Sequence, residues 1–86
     1  MEITIDGTAF SDVSSFYQYL SLLFGFPEWF WWNLDALYDI LSDTNISYKI
    51  IWENAAISKK NLSYEFVERV LSVFHDLDNI ELIVLE

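Results

Sequence analysis

The 86-residue sequence predicts an α/β fold, a three-stranded parallel sheet packed against three to four helices. Three observations carry that prediction. Three short segments have strand composition, the stretches between them repeat apolar residues at helical spacing, and strands joined through helices cross over in the right-handed sense, which makes them parallel. The length is that of one domain spanning residues 1–86.

The elements follow in order. Glu2 to Ile5 alternates, with Ile3 and Ile5 on one face, and stops at the turn pair Asp6-Gly7. After Ser11, the residues Val13, Phe16, Leu20, Leu23 and Phe24 recur at helical spacing, and Gly25 ends the run. Asn33 is suited to cap a second helix, because its side chain accepts from an otherwise unpaired backbone N–H; Leu34, Leu37, Ile40 and Leu41 form the apolar face behind it. Tyr48 to Trp52 and Ile80 to Leu85 are nearly continuous apolar runs, the pattern of strands buried on both faces. Between them, Ala55 to Lys60 suits a short helical turn. Asn61 or Ser63 caps a last helix whose apolar face is Phe66, Val67, Val70, Leu71 and Phe74. The order is β-α-α-β-(α)-α-β, with no repeat, linker or low-complexity tract.

Composition narrows the function classes. The chain is 53% hydrophobic and 19% aromatic, with 2 Gly and 1 Pro, which excludes intrinsic disorder. It has no cysteine, so a disulfide framework, a thiolate metal site and a cysteine nucleophile are excluded. A small protein without disulfides suits a reducing compartment. The start, Met1-Glu2-Ile3-Thr4, has neither a basic region nor an apolar run, so no signal peptide is expected. The most apolar stretch, Leu22 to Trp32, is interrupted by Gly25, Pro27 and Glu28 and is too short to span a bilayer. The expectation is a soluble cytoplasmic protein.

Fourteen acids oppose four bases, for a net charge of -10. All four bases, Lys49, Lys59, Lys60 and Arg69, follow residue 48, whereas Glu2, Asp6, Asp12, Glu28, Asp35, Asp39 and Asp43 precede it. Such a surface repels nucleic acid and anionic membranes and attracts basic proteins. The same charge also serves solubility, so alone it does not assign a partner.

The segment from residue 27 to 43 is more informative. Asp35, Asp39 and Asp43 are spaced i, i+4, i+8 and line one face of the helix that Asn33 caps. Each like-charge pair at that spacing costs an isolated helix roughly 0.2–0.5 kcal/mol. The positive end of the helix dipole partly offsets Asp35 but not Asp43, and the local sequence has no Lys or Arg to offset either. A solvated face opposite Leu34, Leu37 and Leu41 is the plainer account of this stripe. Against it stand Trp29, Phe30, Trp31 and Trp32, immediately before the helix. Four consecutive large aromatics cannot all enter one small core from a loop. Phe26 and Phe30 suit the core; Trp29, Trp31 and Trp32 suit an interface, where aromatic anchors are enriched.

Pro27-Glu28-Trp29-Phe30-x-x-Asn33-Leu34-Asp35-Ala36-Leu37-Tyr38-Asp39-x-Leu41 resembles the signature of the barstar family, intracellular inhibitors of bacterial ribonucleases such as barnase. The resemblance extends along the whole chain in length, element order and motif position. It implies that the loop and acidic helix enter a ribonuclease active site, with acids in place of the RNA phosphates. By position, Asp39 is then the central acid that meets active-site Arg, Lys and His groups, and Asp35 supports it and meets a basic partner loop. Trp29 stands where the family has an aromatic that stacks on a catalytic His, Tyr38 where it has a Trp, and Asp76 where it has a Glu that pairs with a base. One departure is Trp31, where the family usually has Gly, which permits close backbone approach or positive φ.

The candidate partner-binding residues are therefore Trp29, Trp31, Trp32, Asn33, Asp35, Tyr38, Asp39, Asp43 and Asp76. The expected partner is a basic ribonuclease or ribonuclease toxin, bound as a 1:1 heterodimer by a chain that is a monomer when free. No catalytic residue, metal or cofactor is assigned. His75 with Asp76 and Asp78 lacks a second histidine for a metal site. Asp35 and Asp39 as an acid–base pair lack an enclosed substrate cleft and further catalytic groups. The Asn-x-Ser triplets at Asn45 and Asn61 lack a secretion signal. The competing reading is an acidic immunity or nucleic-acid-mimic module against a non-ribonuclease toxin or a DNA-binding protein. Such a mimic spreads its acids in a long double row, whereas these concentrate around one loop and one helix.

Overall fold

The architecture is described from a computed structural model covering residues 1–28, 30 and 32–86. Its elements are β1 (Glu2–Asp6), α1 (Val13–Phe24), α2 (Leu34–Ser42), β2 (Tyr48–Glu53), α3 (Ala55–Asn61), α4 (Tyr64–Asp76) and β3 (Ile80–Val84). The strands form one parallel sheet in the order β1-β2-β3. The predicted α/β class, the three parallel strands and all four helical segments are present.

Local chemistry sets the helix ends. Asp12 caps α1: its carboxylate accepts from the Ser15 amide at 2.7 Å, and the Ser15 hydroxyl in turn accepts from the Asp12 amide. The Ser15 amide, and secondarily its side chain, hold the Asp12 carboxyl below the ordinary carboxylate value. At the other end Gly25 adopts the left-handed conformation at φ 71°, and the amides of Gly25 and Phe26 both donate to the Ser21 carbonyl. Ser63, not Asn61, caps α4 by accepting from the Phe66 amide at 3.0 Å. The Asn61 side chain donates instead to the Phe10 carbonyl.

The strand register separates the two faces of the sheet. Ile3 aligns with Ile50 and Leu82, and Ile5 with Trp52 and Val84. These residues are buried or half-buried beneath the helices. On the opposite face Glu2 aligns with Lys49 and Glu81, all exposed, and Thr4 aligns with Ile51 and Ile83. The expectation of burial on both faces is thus corrected. Both crossovers step in the same direction along the order β1-β2-β3. Right-handed connections that step the same way place their helices on the same face. Ile51 and Ile83 made β2 and β3 read as continuous apolar runs, yet they lie on the uncovered side, half-exposed among charged neighbours.

The core centres on Trp52, which is fully buried with Phe16, Phe74, Leu20, Leu37, Ile50, Val67 and Val70. The Trp52 indole stacks on Phe16 at 5.8 Å and meets Phe74 edge-on at 6.4 Å. Its Nε1–H donates to the buried Ser58 hydroxyl at 3.0 Å, and that hydroxyl donates to the Gly7 carbonyl at 2.9 Å. The Gly7 amide donates to the Glu53 carbonyl at 2.8 Å. This approach requires glycine, because a Cβ on Gly7 would collide with the backbone carbonyls of Asn54 and Glu53 and with the Ser58 hydroxyl. Gly7→Ala is expected to lower stability by about 1–3 kcal/mol through forced backbone shifts. A denaturant titration tests this: the midpoint should fall at constant slope, and an unchanged midpoint would show that the β1 turn relaxes freely.

Candidate functional site

The candidate face is built on α2. Asn33, in extended conformation, caps the helix by accepting from the Ala36 amide at 2.8 Å. Leu37 and Leu41, one turn apart, are fully buried and hold α2 on the core, where it packs against α4. Their burial fixes the rotation of the helix, and the rotation exposes Asp35, Tyr38 and Asp39. Asp43 is the C-cap residue rather than a helical one; its amide donates to the Asp39 carbonyl at 3.1 Å, and its side chain is exposed at the end of the stripe. Among the described residues, no hydrogen bond or ion pair engages the carboxylates of Asp35, Asp39 or Asp43. None of the four bases pairs with the stripe among the described residues: Lys49 is on β2, Lys60 on α3 and Arg69 on α4, while Lys59 pairs with Glu68 and Glu86 at 3.6 and 3.2 Å. The stripe therefore keeps its charge unneutralised.

Two contacts hold described residues of the segment before α2. Gly25 turns the chain out of α1, and the Phe30 amide donates to the Pro27 carbonyl at 3.0 Å. Phe30 is buried against Phe26 at 4.7 Å and Tyr17 at 6.4 Å, so its expected core role holds; Phe26 is half-buried. Trp32 is 47% exposed and Tyr38 41% exposed, which leaves both large side chains accessible beside the carboxylates. Trp29 and Trp31, named above as anchors, lie outside the described residues. Asp76 is the last residue of α4 and is exposed; it has no part in the cleft described next.

Between the loop and α2 lies a cleft of ≈ 480 Å³. Phe24, Phe26 and Phe30 line it from the loop side, Ala36 and Ile40 from the helix, and the acids Asp39 and Asp43 also border it. Phe24 and Phe26 stack at 5.2 Å with an interplanar angle of 11°, and Phe24 meets Tyr48 edge-on at 5.3 Å. Two of the acids therefore share a cleft with an aromatic wall, which sequence spacing alone did not reveal. The signal in the sequence is Phe24-Gly25-Phe26, where a left-handed glycine brings two flanking rings to the same side.

Three carboxylates and accessible aromatics on a rigid support suit capture of a cationic, concave surface. Among the described residues, no three His, Asp or Glu side chains converge as a metal site, and no helix is long and apolar enough to cross a membrane. A family model described as Barstar (barnase inhibitor) matches residues 1–81 of the 86. No curated protein matches the chain.

The unneutralised stripe predicts that Asp39→Ala leaves the free protein as stable as before or slightly more so. The change removes repulsion from Asp35 and Asp43, about 0.2–0.5 kcal/mol per pair, and inserts the strongest helix former. Thermal melts decide it. A clear fall in melting temperature would identify Asp39 as a structural acid.

Proposed function

This chain belongs to the barstar family, and from that premise we propose that it inhibits a basic bacterial ribonuclease by inserting the acidic face of α2 and the adjoining aromatic loop into the enzyme's active site. The observation that carries the reading is the exposure of Asp35 and Asp39 on a helix whose rotation is fixed by buried Leu37 and Leu41. A ribonuclease active site gathers Arg, Lys and His side chains around phosphate positions. Carboxylates already held on a rigid element meet such a site without a large ordering cost.

Asp39, in the middle of the stripe, takes the central place against the active-site cations, and Asp35 supports it toward a basic loop. Trp32 and Tyr38 supply apolar area beside these charges, and Trp29 and Trp31, which precede α2 in the sequence, are assigned to the same interface on that ground. Asn33 holds the start of the helix in place. Asp43 lies one turn further along, at the margin, and Asp76 pairs with a base of the partner from the end of α4. The complex is a 1:1 heterodimer, it forms in the cytoplasm, and this chain contributes no catalysis. The net charge of -10 steers encounter with a basic enzyme.

Cleavage of RNA by the cognate ribonuclease tests the reading. Stoichiometric addition of this chain should abolish cleavage. Asp39→Ala should weaken binding by about 3 kcal/mol or more, because it leaves partner cations desolvated and unpaired, and Asp43→Ala should weaken it less. Unchanged cleavage despite demonstrated binding would refute active-site insertion. Equal losses for the two variants would place the binding face elsewhere.

A further inference from the structure

We propose that Asn79 is a positioning residue for the candidate face: it ties the last turn of α2, and with it Asp39 and Asp43, to the start of the sheet. The inference rests on the reading above for what those acids do and adds the residue that sets where they stand.

The end of α2 is poorly supported by its own sequence. A helix leaves its last carbonyls without intrahelical partners. Here the helix has nine residues, no base in its last turn and an acid, Asp43, at its C-cap. Carboxylates at that end meet the negative pole of the helix dipole, and so short a helix is not stable alone. The Asp39 carbonyl is served locally, by the Asp43 amide at 3.1 Å and the Ser42 hydroxyl at 3.0 Å. The Leu41 carbonyl is served from a distant part of the chain. The Asn79 side chain donates to it at 3.0 Å, and the same Nδ2 donates at 3.0 Å to the Ile46 carbonyl in the loop that follows.

Asn79 is itself fixed by the sheet. It stands half-buried in the turn between α4 and β3, and its carbonyl accepts from the Tyr48 amide at 2.8 Å, beside the Tyr48–Ile80 pair. One residue therefore joins the first rung between β2 and β3 to the end of α2. Both acceptors are carbonyl oxygens, so the amide NH2 group faces them and each hydrogen has one partner. Serine has a single donor hydrogen. Aspartate, of the same shape, has none and sets a carboxylate against two carbonyls. Leu37 and Leu41 fix the rotation of α2 about its axis, and Asn79 fixes the place of its end. Among the described residues the carboxylates of Asp39 and Asp43 form no ion pair, so the turn that carries them sets their position.

The test compares the intact ¹⁵N-labelled chain with Asn79→Ala and Asn79→Asp. In the free protein, N–H residual dipolar couplings of residues 40–43 should fall by at least a third in both variants, while those of residues 49–52 stay unchanged. Where Asn79→Asp does not fold, Asn79→Ser, which keeps one donor, should show a smaller loss than Asn79→Ala. A lower overall stability leaves the couplings of the folded state as they are, so unchanged values at 40–43 would overturn the proposal. Inhibition of the cognate ribonuclease is then measured at a temperature where the variants are folded. Asn79→Ala should weaken it at least five-fold in the original chain, and less than two-fold when Asp39 and Asp43 are both alanine. An equal loss in the two backgrounds would also overturn the proposal, because Asn79 would then act without the acids. If the original chain inhibits no ribonuclease, the inhibitor reading falls, and the couplings still decide whether Asn79 places the end of α2.

Discussion

The fold depends on one buried relay of hydrogen bonds, from the Trp52 indole N–H to the Ser58 hydroxyl and from that hydroxyl to the Gly7 carbonyl. Trp52 is the largest side chain of the central strand and lies at the middle of the core. A buried indole N–H without a partner costs about 1–3 kcal/mol. Ser58, on α3, meets that requirement and at once ties the end of β1 to the start of the second crossover. The relay works only because Gly7 lets the β1 turn approach the Glu53–Asn54 backbone. Neighbouring contacts extend the same junction: the Ala55 amide donates to the Leu85 carbonyl, and the Leu85 amide to that of Trp52. All three strands therefore meet α3 at one place, and the parallel register is set there.

From that register follows the position of the candidate face. Both crossovers lie on one side of the sheet, so α2 has a single layer to bury against. Leu37 and Leu41 satisfy it, and the outward side of a nine-residue helix is left without a structural duty. In this sequence that side carries carboxylates that repel one another and, among the described residues, form no ion pair. The repulsion is small beside the total stability of a domain, which is about 5–15 kcal/mol. Salt screens it further, because all three carboxylates are exposed. A helix arranged in this way keeps its charges exposed at little cost to the fold.

Much of this was legible in the sequence, and the exceptions have physical reasons. Asn33 and Gly25 announce helix ends because capping chemistry is local, whereas the start of α4 was offered as Asn61 or Ser63 and the geometry selects Ser63. Asp35 and Asp39 are legible as an exposed pair because helical periodicity, set by Leu34, Leu37 and Leu41, fixes the opposite face. The α1 cap was less clear, since Ser11 and Asp12 are both good acceptors and only geometry selects Asp12. The open sheet face was not legible. Ile51 and Ile83 carry the same apolar signal as the buried Ile50, and only the direction of the crossovers distinguishes them. Nor was the cleft, because it joins the end of α1 to the end of α2 across a loop, and no periodicity spans such a junction. The role of Ser58 was equally hidden, since a serine among polar residues of a short helix gives no sign that it is fully buried.

The central claim is that this chain occupies the place of the RNA phosphates in its target. The most direct measurement is competition for the ribonuclease between this chain and a non-cleavable deoxyoligonucleotide that saturates the active site. The account predicts that the apparent dissociation constant of the chain rises in proportion to oligonucleotide concentration, with no ternary complex. An affinity that stays constant at saturating oligonucleotide would contradict it and place the inhibitor outside the active site.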